Sequence, residues 1–522
     1  MSYNIFVIGG ASFMKLCRKY MFSTLLFVLA TILPLFLWNQ LQGVDNLYMY
    51  AHAKDMLANG LVRTKDIFSM HENLSFSYQK WAACLLTYFI VHNFGWNGLT
   101  IATYLLIFAL LTGLYLFGRK FNDNHMLFNT TMIMSCAFLL EANGTLRFRP
   151  HVIAGIIFIY MFYVLEQYVN GLITADWKFY FRFIIASVIL MWFHSTMWIM
   201  FIVVFLPYIF NFSNISHIFS QREYKIKPLL VAMILMFVSG IFNPNGLKQY
   251  QYMWACVHAS GSLYSHVDEL QPMPFSAYLP VLVVGLLIFA FMAYSLFVFH
   301  VPVYMPSVYL IAGSLIMPLM SWRLVFYSAI FMTIAIIAQT AKHPDKNLGL
   351  GSISLSLSVF LLAVAILFAG FLSRLRYASV PNQALSCGTR EYEINEAVDL
   401  LTERMPNATV FNVTAHVGSY CIYKDLKPYM DCRAEVYDIN INAQSDILSE
   451  IHNLSDNKYK NTALDAGGII MLNCDYHPDY YVLTRYSDAD MNIKVALDEA
   501  QVSCLYDGKN VWIYSFKDSE KL

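Results

Sequence analysis

The sequence has few charged residues for a chain of 522 residues. Only 13% of its residues are Asp, Glu, Lys or Arg, against about 25% in a typical soluble domain, while 58% are hydrophobic. This composition excludes an ordinary soluble protein and a disordered chain. Residues 1–372 carry 20 Lys and Arg against 12 Asp and Glu, whereas residues 373–522 carry 14 against 22. We therefore predict a membrane domain followed by a water-soluble domain, whose acidity makes it a poor nucleic-acid binder.

The sequence also lacks several motifs that identify large classes of enzymes. It contains no phosphate-binding loop and no dinucleotide-binding fingerprint. The cysteines of the C-terminal part show no CxxC metal spacing; Cys421 and Cys432 are the nearest pair for a disulfide, and free buried thiols are the alternative. The first apolar run follows Lys15, Arg18 and Lys19 and has no small-residue cleavage site after it, so we expect a retained anchor that starts in the cytoplasm.

Long uncharged apolar runs dominate the first 372 residues. A transmembrane helix needs about 20 predominantly apolar residues. The eleven predicted helices cover residues 20–38, 98–118, 127–143, 150–169, 179–193, 195–211, 228–242, 277–299, 303–320, 323–341 and 352–372. Residues 79–95 are ambiguous, because their apolar run is short and is flanked by Lys80, Trp81, His92 and Trp96, residue types that favour the membrane interface.

The distribution of Lys and Arg among the loops predicts the orientation of the chain. If residues 79–95 lie in the interface, 12 of these cations are inside and 8 outside; if they span, the counts become 7 and 13. When Arg374 and Arg376, just after the last span, are counted as outside, the first count becomes 12 inside against 10 outside. We therefore predict eleven spans, a cytoplasmic N-terminus and an extracytoplasmic C-terminal domain. The first outer loop, 39–97, and the long outer loop, 243–276, then face the same side as that domain.

The C-terminal part, residues 373–522, alternates helix and strand patterns. Residues 391–404 and 443–453 predict helices, and Ala408–Asn412 predicts a short strand. Gly468–Leu472 predicts a buried strand. The last pattern is a β-hairpin with Asp507 and Gly508 in its turn. Together these elements predict a small α/β domain of about 130 residues, which is an ordinary size for one domain.

The predicted topology gathers unusual polar residues at the outer ends of the spans, which is typical of a functional site. Asp45 follows the first span and has Trp38, Tyr48 and Tyr50 nearby in the sequence. A carboxylate at such a boundary is partly desolvated, which raises its pKa and suits a general base. The alternative interpretation is a solvated loop carboxylate.

Several short motifs occur in an order that resembles a known family. They are ANG-LVRTKD-IFS at 58–69, QKW at 79–81, RFRP at 147–150, HS at 194–195, NPNG at 243–246, DELQP at 268–272, NVTAHVGSY at 412–420 and MDCRAEVY at 430–437. With Asp45 before them, they resemble a bacterial family of GT-C-type membrane glycosyltransferases similar to protein mannosyltransferases and aminoarabinose transferases. The chain departs from the family pattern at Val62, usually Pro, at Tyr48, commonly Trp, and at Cys432, usually Gly.

The resemblance implies a polytopic GT-C-like fold in the bacterial inner membrane and a sugar donor linked to polyprenyl phosphate. The acceptor would be a glycan, a lipid or a protein on the outer face. Since a phosphate leaving group needs fixed cations, the candidate phosphate-binding residues are Arg147, Arg149, Arg323 and His194. Snorkelling to lipid headgroups is the alternative role for Arg149, and an interfacial hydrogen bond is the alternative for each His.

The reaction implied by the resemblance needs a base on the acceptor side, with phosphate leaving opposite it, which gives inversion. Asp45 is the first candidate for that base and Asp66 is the second. The candidate acceptor-binding or accessory residues are His151, Asp268 and Glu269. A divalent cation between Asp45 and the last two is conceivable because hard cations take carboxylates, but their spacing does not assign one.

Three other functions fit a membrane protein of this composition. A flippase or transporter is the first, although the sequence has no internal repeat and no paired broken helices. A non-catalytic scaffold for envelope assembly is the second. The third is a glycan polymerase or ligase that uses a lipid-diphosphate donor. Release of polyprenyl phosphate by the purified protein would separate an enzyme from a scaffold.

Overall fold

The computed structural model describes residues 44–121, 148–211, 219–220, 224–258, 270–341, 389–442, 447–448, 450 and 466–517. The helices are α1 (Asp45–Asn59), α2 (Trp81–Phe121), α3 (Pro150–Val169), α4 (Asp176–Trp198), α5 (Phe201–Ile209), α6 (Ile226–Ser239), α7 (Leu247–Val257), α8 (Phe275–Phe299), α9 (Met305–Met320), α10 (Val325–Thr340), α11 (Thr389–Arg404), α12 (Ala415–Tyr423), α13 (Ala466–Tyr476) and α14 (Asp488–Glu499). The strands are β1 (Phe219–Ser220), β2 (Val303–Tyr304), β3 (Thr409–Phe411), β4 (Lys427–Pro428), β5 (Tyr480–Thr484), β6 (Ser503–Asp507) and β7 (Val511–Ser515).

Five helices in the described part of the chain are long and apolar enough to cross a membrane. They are Trp81–Phe121, Pro150–Val169, Asp176–Trp198, Phe275–Tyr294 and Trp322–Gln339. Shorter apolar helices, α6 and α9, lie at two further predicted spans. The predicted spans 20–38, 127–143 and 352–372 fall outside the described residues, so the full number of eleven stays a prediction.

Two of the long helices, α2 and α4, are each broken at one residue. Gly95 interrupts α2 with a φ of 66°, a left-handed conformation that glycine adopts without steric cost. The ambiguous segment 79–95 is therefore not a straight continuation of the span predicted at 98–118. His194 interrupts α4 with an extended conformation, at the boundary between the predicted spans 179–193 and 195–211.

The core of the helical domain is apolar and centres on α3 and α10. Phe158 packs edge-on against Tyr327, and Phe162 packs against Phe331. Gly155 lets the two helices approach closely, since a Cβ there would lie 2.8 Å from the ring of Phe326. The dense apolar contact between α3 and α10 fixes the ends of both helices, where the candidate site residues lie.

The C-terminal part contains a five-stranded sheet in the order β4-β3-β5-β7-β6. Strands β4, β3 and β5 are parallel, and β5, β7 and β6 are antiparallel. The predicted hairpin is present as β6 and β7, and the first predicted strand and helix correspond to β3 and α11. Most of the helix predicted at 443–453 lies outside the described residues.

The prediction of a buried strand at Gly468–Leu472 is wrong. The segment belongs to helix α13. Its two buried residues, Ile469 and Leu472, are three apart, which is helical spacing, while Ile470 and Met471 are 47% and 68% exposed. A short apolar run is compatible with a buried strand and with one face of a helix. Here only one side of the segment is packed against the protein, which is the pattern of a helix.

The first loop forms a layer between the helical domain and the sheet. Side chains of α1 share an apolar cluster with residues of the sheet and of α2. Polar contacts reinforce this layer: Met70 N donates to Pro428 O at 2.9 Å, and Ser75 N donates to the Asn442 side chain at 2.5 Å. The Cys421 and Cys432 thiols are both free.

Candidate functional site

Asp45 is the first residue of α1, where the positive end of the helix dipole favours a carboxylate. Its Oδ2 atom lies 3.1 Å from Nε of Arg149, and the two side chains are 23% and 10% exposed. Arg149 directly precedes α3. A guanidinium at this distance favours the ionised form of a carboxylate. Asp45 and Arg149 are far apart in the sequence, so sequence patterns indicate only the desolvation of Asp45 and not this partner.

Asp45 lines a cavity of about 310 Å³ at the junction of three parts of the chain. The first loop, the ends of the apolar helices and the C-terminal sheet domain each supply part of its wall. The lining residues are Asp45, Tyr48, Gln79, Lys80, Thr196, Met197, Cys256, Leu270, Met320, Ser321, Arg323, Leu324, Cys432, Ala434 and Glu435. This volume lies at the lower end of the range typical of small-molecule sites, about 300–1,000 Å³.

Two cations face the cavity from different elements. Arg323 lies in the 3₁₀ turn Trp322–Leu324, between α9 and α10. Lys80 directly precedes α2, and its Nζ donates a hydrogen bond to the Tyr48 hydroxyl at 3.3 Å. Burial raises the pKa of Tyr48, and the nearby Asp45 and Glu435 carboxylates raise it further, so this hydroxyl stays protonated at neutral pH.

The two candidate histidines lie behind the cavity wall and are buried. The His151 imidazole, on α3, is in electrostatic range of Arg149, Arg323 and Asp45. His194 sits at the break in α4, where its Nδ1 is 3.0 Å from Oγ1 of Thr196. The break turns Thr196 to the cavity. Both histidines therefore lie close enough to shape the site without lining it.

Asp66 belongs to a different arrangement. It is buried, and its Oδ1 accepts a hydrogen bond of 2.5 Å from Nη1 of Arg433. Arg433 also binds Asp431, with Nη2 2.6 Å from Oδ2. Burial by itself would raise the pKa of Asp66, but the Arg433 charge and hydrogen bonds from Arg433 and Ser69 outweigh it and hold the pKa at about 2. These bonds join the first loop to the C-terminal domain.

The structure thus brings some of the predicted site residues together and separates others. Asp45 and Arg323 share the cavity, and Arg149 contacts Asp45 behind it. Asp66 is absent from the cavity wall as described. The remaining predicted residues, Arg147, Asp268 and Glu269, lie outside the described residues. Within the described ranges, no group of three or more His, Cys, Asp or Glu could hold a metal ion.

Two charged residues of the cavity, Lys80 and Glu435, were not among the predicted site residues. Lys80 appeared only as an interface residue flanking an ambiguous helix, although it belongs to the QKW motif. Glu435 lies in the MDCRAEVY motif of the C-terminal domain, far from Asp45 in sequence. These two motifs were the sequence signals for Lys80 and Glu435. Neither motif shows that its charged side chain shares a cavity with Asp45.

Comparisons with known proteins bear on the fold. The sequence matches no protein-family model and no curated protein. Its structure is similar to the crystal structure of ArnT from Cupriavidus metallidurans in the apo state, with a TM-score of 0.52 and 11% sequence identity. The match covers 94% of this chain and 98% of the other. The chain therefore has a GT-C-like fold, and with its apolar helices it is an integral membrane protein.

Proposed function

We propose that this GT-C-like protein is a membrane glycosyltransferase. It moves a sugar from a polyprenyl-phosphate donor to an acceptor hydroxyl outside the cytoplasm, with inversion. The observation that carries the proposal is the cavity at the ends of apolar helices, which combines the Asp45 carboxylate with the Lys80 and Arg323 cations. A similar overall fold in an aminoarabinose transferase supports this assignment at the level of architecture.

The donor fits the side of the cavity formed by the membrane helices. Its phosphate would lie against Lys80 and Arg323, which stabilise the negative charge that develops as the sugar leaves. Met320 lines the cavity and is also 63% exposed at the end of α9. An exposed apolar side chain at the cavity edge would contact the polyprenyl chain next to the donor phosphate.

The chemical step assigns Asp45 as general base. The acceptor oxygen attacks the anomeric carbon, the bond from that carbon to the phosphate oxygen breaks, and the hydroxyl proton passes to Asp45. The phosphate departs from the opposite face, so the configuration inverts. Arg149 orients the Asp45 carboxylate before the reaction through their 3.1 Å contact, which makes Arg149 a positioning residue rather than a phosphate ligand.

The same proposal orients the molecule in the membrane. Residues 81–94 form an interfacial helix, separated by the Gly95 break from the span that follows, and the sheet domain lies outside the cytoplasm. Cysteines introduced at the exposed residues Ala58 and Lys509 should react with an impermeant thiol reagent from the same, outer side of intact cells. Labelling from opposite sides, or only after lysis, would contradict this orientation.

The replacement Asp45→Asn tests the function directly. It keeps the size of the side chain but removes the proton acceptor, so turnover should fall by about 10²–10⁴ while donor binding changes little. Release of polyprenyl phosphate and donor affinity are measured on the same folded, detergent-purified sample.

Asp425→Asn is the matched control, because Asp425 is an exposed carboxylate that pairs with Lys54 away from the cavity. It should keep normal turnover. Near-normal turnover in Asp45→Asn would remove Asp45 as the base. Donor movement across the bilayer without release of polyprenyl phosphate from the wild type would instead favour a flippase.

A further inference from the structure

Glu435 brings a second carboxylate into the cavity, from the C-terminal domain. It lies in the 3₁₀ turn Ala434–Tyr437 and is only partly buried. No salt bridge within the described ranges involves it. Its hydrogen-bond contact is with Nε2 of Gln79 at 3.5 Å, the outer limit for such a bond. Glu435 therefore keeps acceptor capacity for a ligand in the cavity.

The turn that carries Glu435 is fixed on both sides. Arg433, two residues before it, donates to Asp66 at 2.5 Å and to Asp431 at 2.6 Å. Tyr437, two residues after it, donates through its hydroxyl to Asp431 at 2.5 Å. These bonds are buried, so the backbone on either side of Glu435 is held in place. A carboxylate on such a support is preorganised for binding.

The two carboxylates of the cavity, Asp45 and Glu435, line it together with Tyr48. The charges of Asp45 and of Glu435 both act on the Tyr48 hydroxyl, which receives a hydrogen bond from Lys80. Glu435 and Asp45 thus face the same small volume from opposite domains. Although the cations Lys80 and Arg323 line the same cavity, a partly desolvated carboxylate without a salt bridge still gains from groups that donate hydrogen bonds to it. A bound molecule with several hydroxyls would supply such donors.

We propose that Glu435 binds the acceptor, and that the acceptor is a carbohydrate. Glu435 accepts a hydrogen bond from one hydroxyl of the acceptor sugar, and a neighbouring hydroxyl of the same ring is then directed to Asp45. This inference rests on the proposed function and deepens it, because it selects a glycan or glycolipid over a protein side chain with a single hydroxyl. The C-terminal domain thereby determines which acceptors are used.

The test compares Glu435→Gln with the wild type in full-length protein, using a polyprenyl-phosphate hexose as donor. Methyl glucoside and ethanol are the acceptor probes, with several hydroxyls and one. The wild type should transfer more sugar to methyl glucoside than to ethanol. Glu435→Gln should raise the KM for methyl glucoside about five- to tenfold, the difference between a hydrogen bond to a charged group and one to a neutral acceptor, without changing ethanol transfer or the KM for donor.

Glu403→Gln is the matched control, since Glu403 is an exposed carboxylate on α11 of the same domain. It should leave both acceptors unaffected. An unchanged KM for methyl glucoside in Glu435→Gln overturns the inference. Equal transfer of the hexose to methyl glucoside and to ethanol, including no transfer to either, also overturns it. If the wild type fails to cleave the donor in an Asp45-dependent way, the proposed function itself fails. If Asp45-dependent cleavage persists, only the role of Glu435 is wrong.

Discussion

At the scale of single residues, the pairing of Asp45 with Arg149 is the observation with most consequence. The sequence left Arg149 as either a phosphate ligand or a snorkelling side chain. Its Nε lies 3.1 Å from Asp45, and its side chain is only 10% exposed, which leaves it poorly placed for lipid headgroups. Arg323 instead lines the cavity itself. We therefore assign different tasks to these two arginines.

The difference predicts separable effects of two substitutions. Arg149→Ala should lower turnover with little change in donor affinity, because Asp45 loses its partner. Arg323→Ala should weaken donor affinity about ten- to a hundredfold, which is the loss of one charge-assisted contact of roughly 1.5–3 kcal/mol. Both are measured by donor binding and by single-turnover rates.

Arg149→Lys keeps the charge and should restore part of the rate. Lys509→Ala, at an exposed position of the C-terminal domain, serves as the control and should match the wild type. Equal losses of donor affinity in the two arginine variants would return Arg149 to the phosphate site.

At the scale of elements, the breaks in α2 and α4 shape the site more than the regular helices do. The Gly95 break separates the helical segment that begins beside Lys80 from the apolar helix that follows. The His194 break lets Ser195 N donate a hydrogen bond to Gln79 O at 3.2 Å and turns Thr196 to the cavity. The breaks at Gly95 and His194 thus determine how α2 and α4 meet the first loop.

The Gly95 break predicts a cost for any side chain at that position. A Cβ at Gly95 would meet no atom within 4 Å, so Gly95→Ala tests backbone conformation alone. A non-glycine residue in this backbone conformation costs about 1–3 kcal/mol, and we expect lower thermal stability of the purified protein.

Gly313→Ala is the matched control. Gly313 also has nothing within 4 Å of an added Cβ, but its backbone is not left-handed. Alanine in a helix interior is favoured over glycine, so this variant should be as stable as the wild type or more so. Equal behaviour of the two variants in thermal unfolding would mean that the break at 95 is not required.

At the scale of the whole molecule, a buried cluster of Asp66, Arg433 and Asp431 joins the first loop to the C-terminal part of the chain. The side chains are at most 2% exposed. Removing one partner of such a cluster leaves an uncompensated buried charge and costs about 3–5 kcal/mol. Arg433 directly precedes the turn that carries Glu435. The cluster therefore couples the contact between the first loop and the C-terminal part to the shape of the cavity.

Because of this cluster, we expect the contact between the first loop and the C-terminal part to depend on pH under acidic conditions. The pKa of Asp66 is about 2 in the folded protein, below its ordinary value of 3.8. The stabilisation by ionised Asp66 is therefore complete above pH 3.8 and is lost as the pH falls towards 2. Hydrogen exchange of residues 61–78, corrected for intrinsic rates, should increase across this interval.

Asp66→Asn tests the origin of that increase. The variant should exchange faster already at neutral pH, and its exchange should be flat between pH 4 and pH 2. Lys54→Met removes an exposed salt bridge with Asp425 between the same two parts of the chain and should change little, because such pairs contribute about 0–1 kcal/mol. A pH dependence retained in Asp66→Asn would assign the effect to another group.

The sequence by itself determined the elements whose signal is local. The apolar runs determined the five long apolar helices found among the described residues, and alternation with a turn signal determined the hairpin of β6 and β7. The position of Asp45 at the start of the first loop was also readable, because it depends only on where an apolar run ends. Local patterns failed at Gly468–Leu472, where a short run is compatible with both strand and helix.

Only the tertiary structure decided which charges meet. Asp66 and Arg433 are 367 residues apart in sequence, so no spacing could reveal that Arg433 buries Asp66 in a structural cluster. The same holds for Arg149 beside Asp45 and for Glu435 across the cavity. The physical reason is that hydropathy and periodicity fix each segment by its neighbours in the chain, whereas the state of a charge depends on burial and on partners from distant segments.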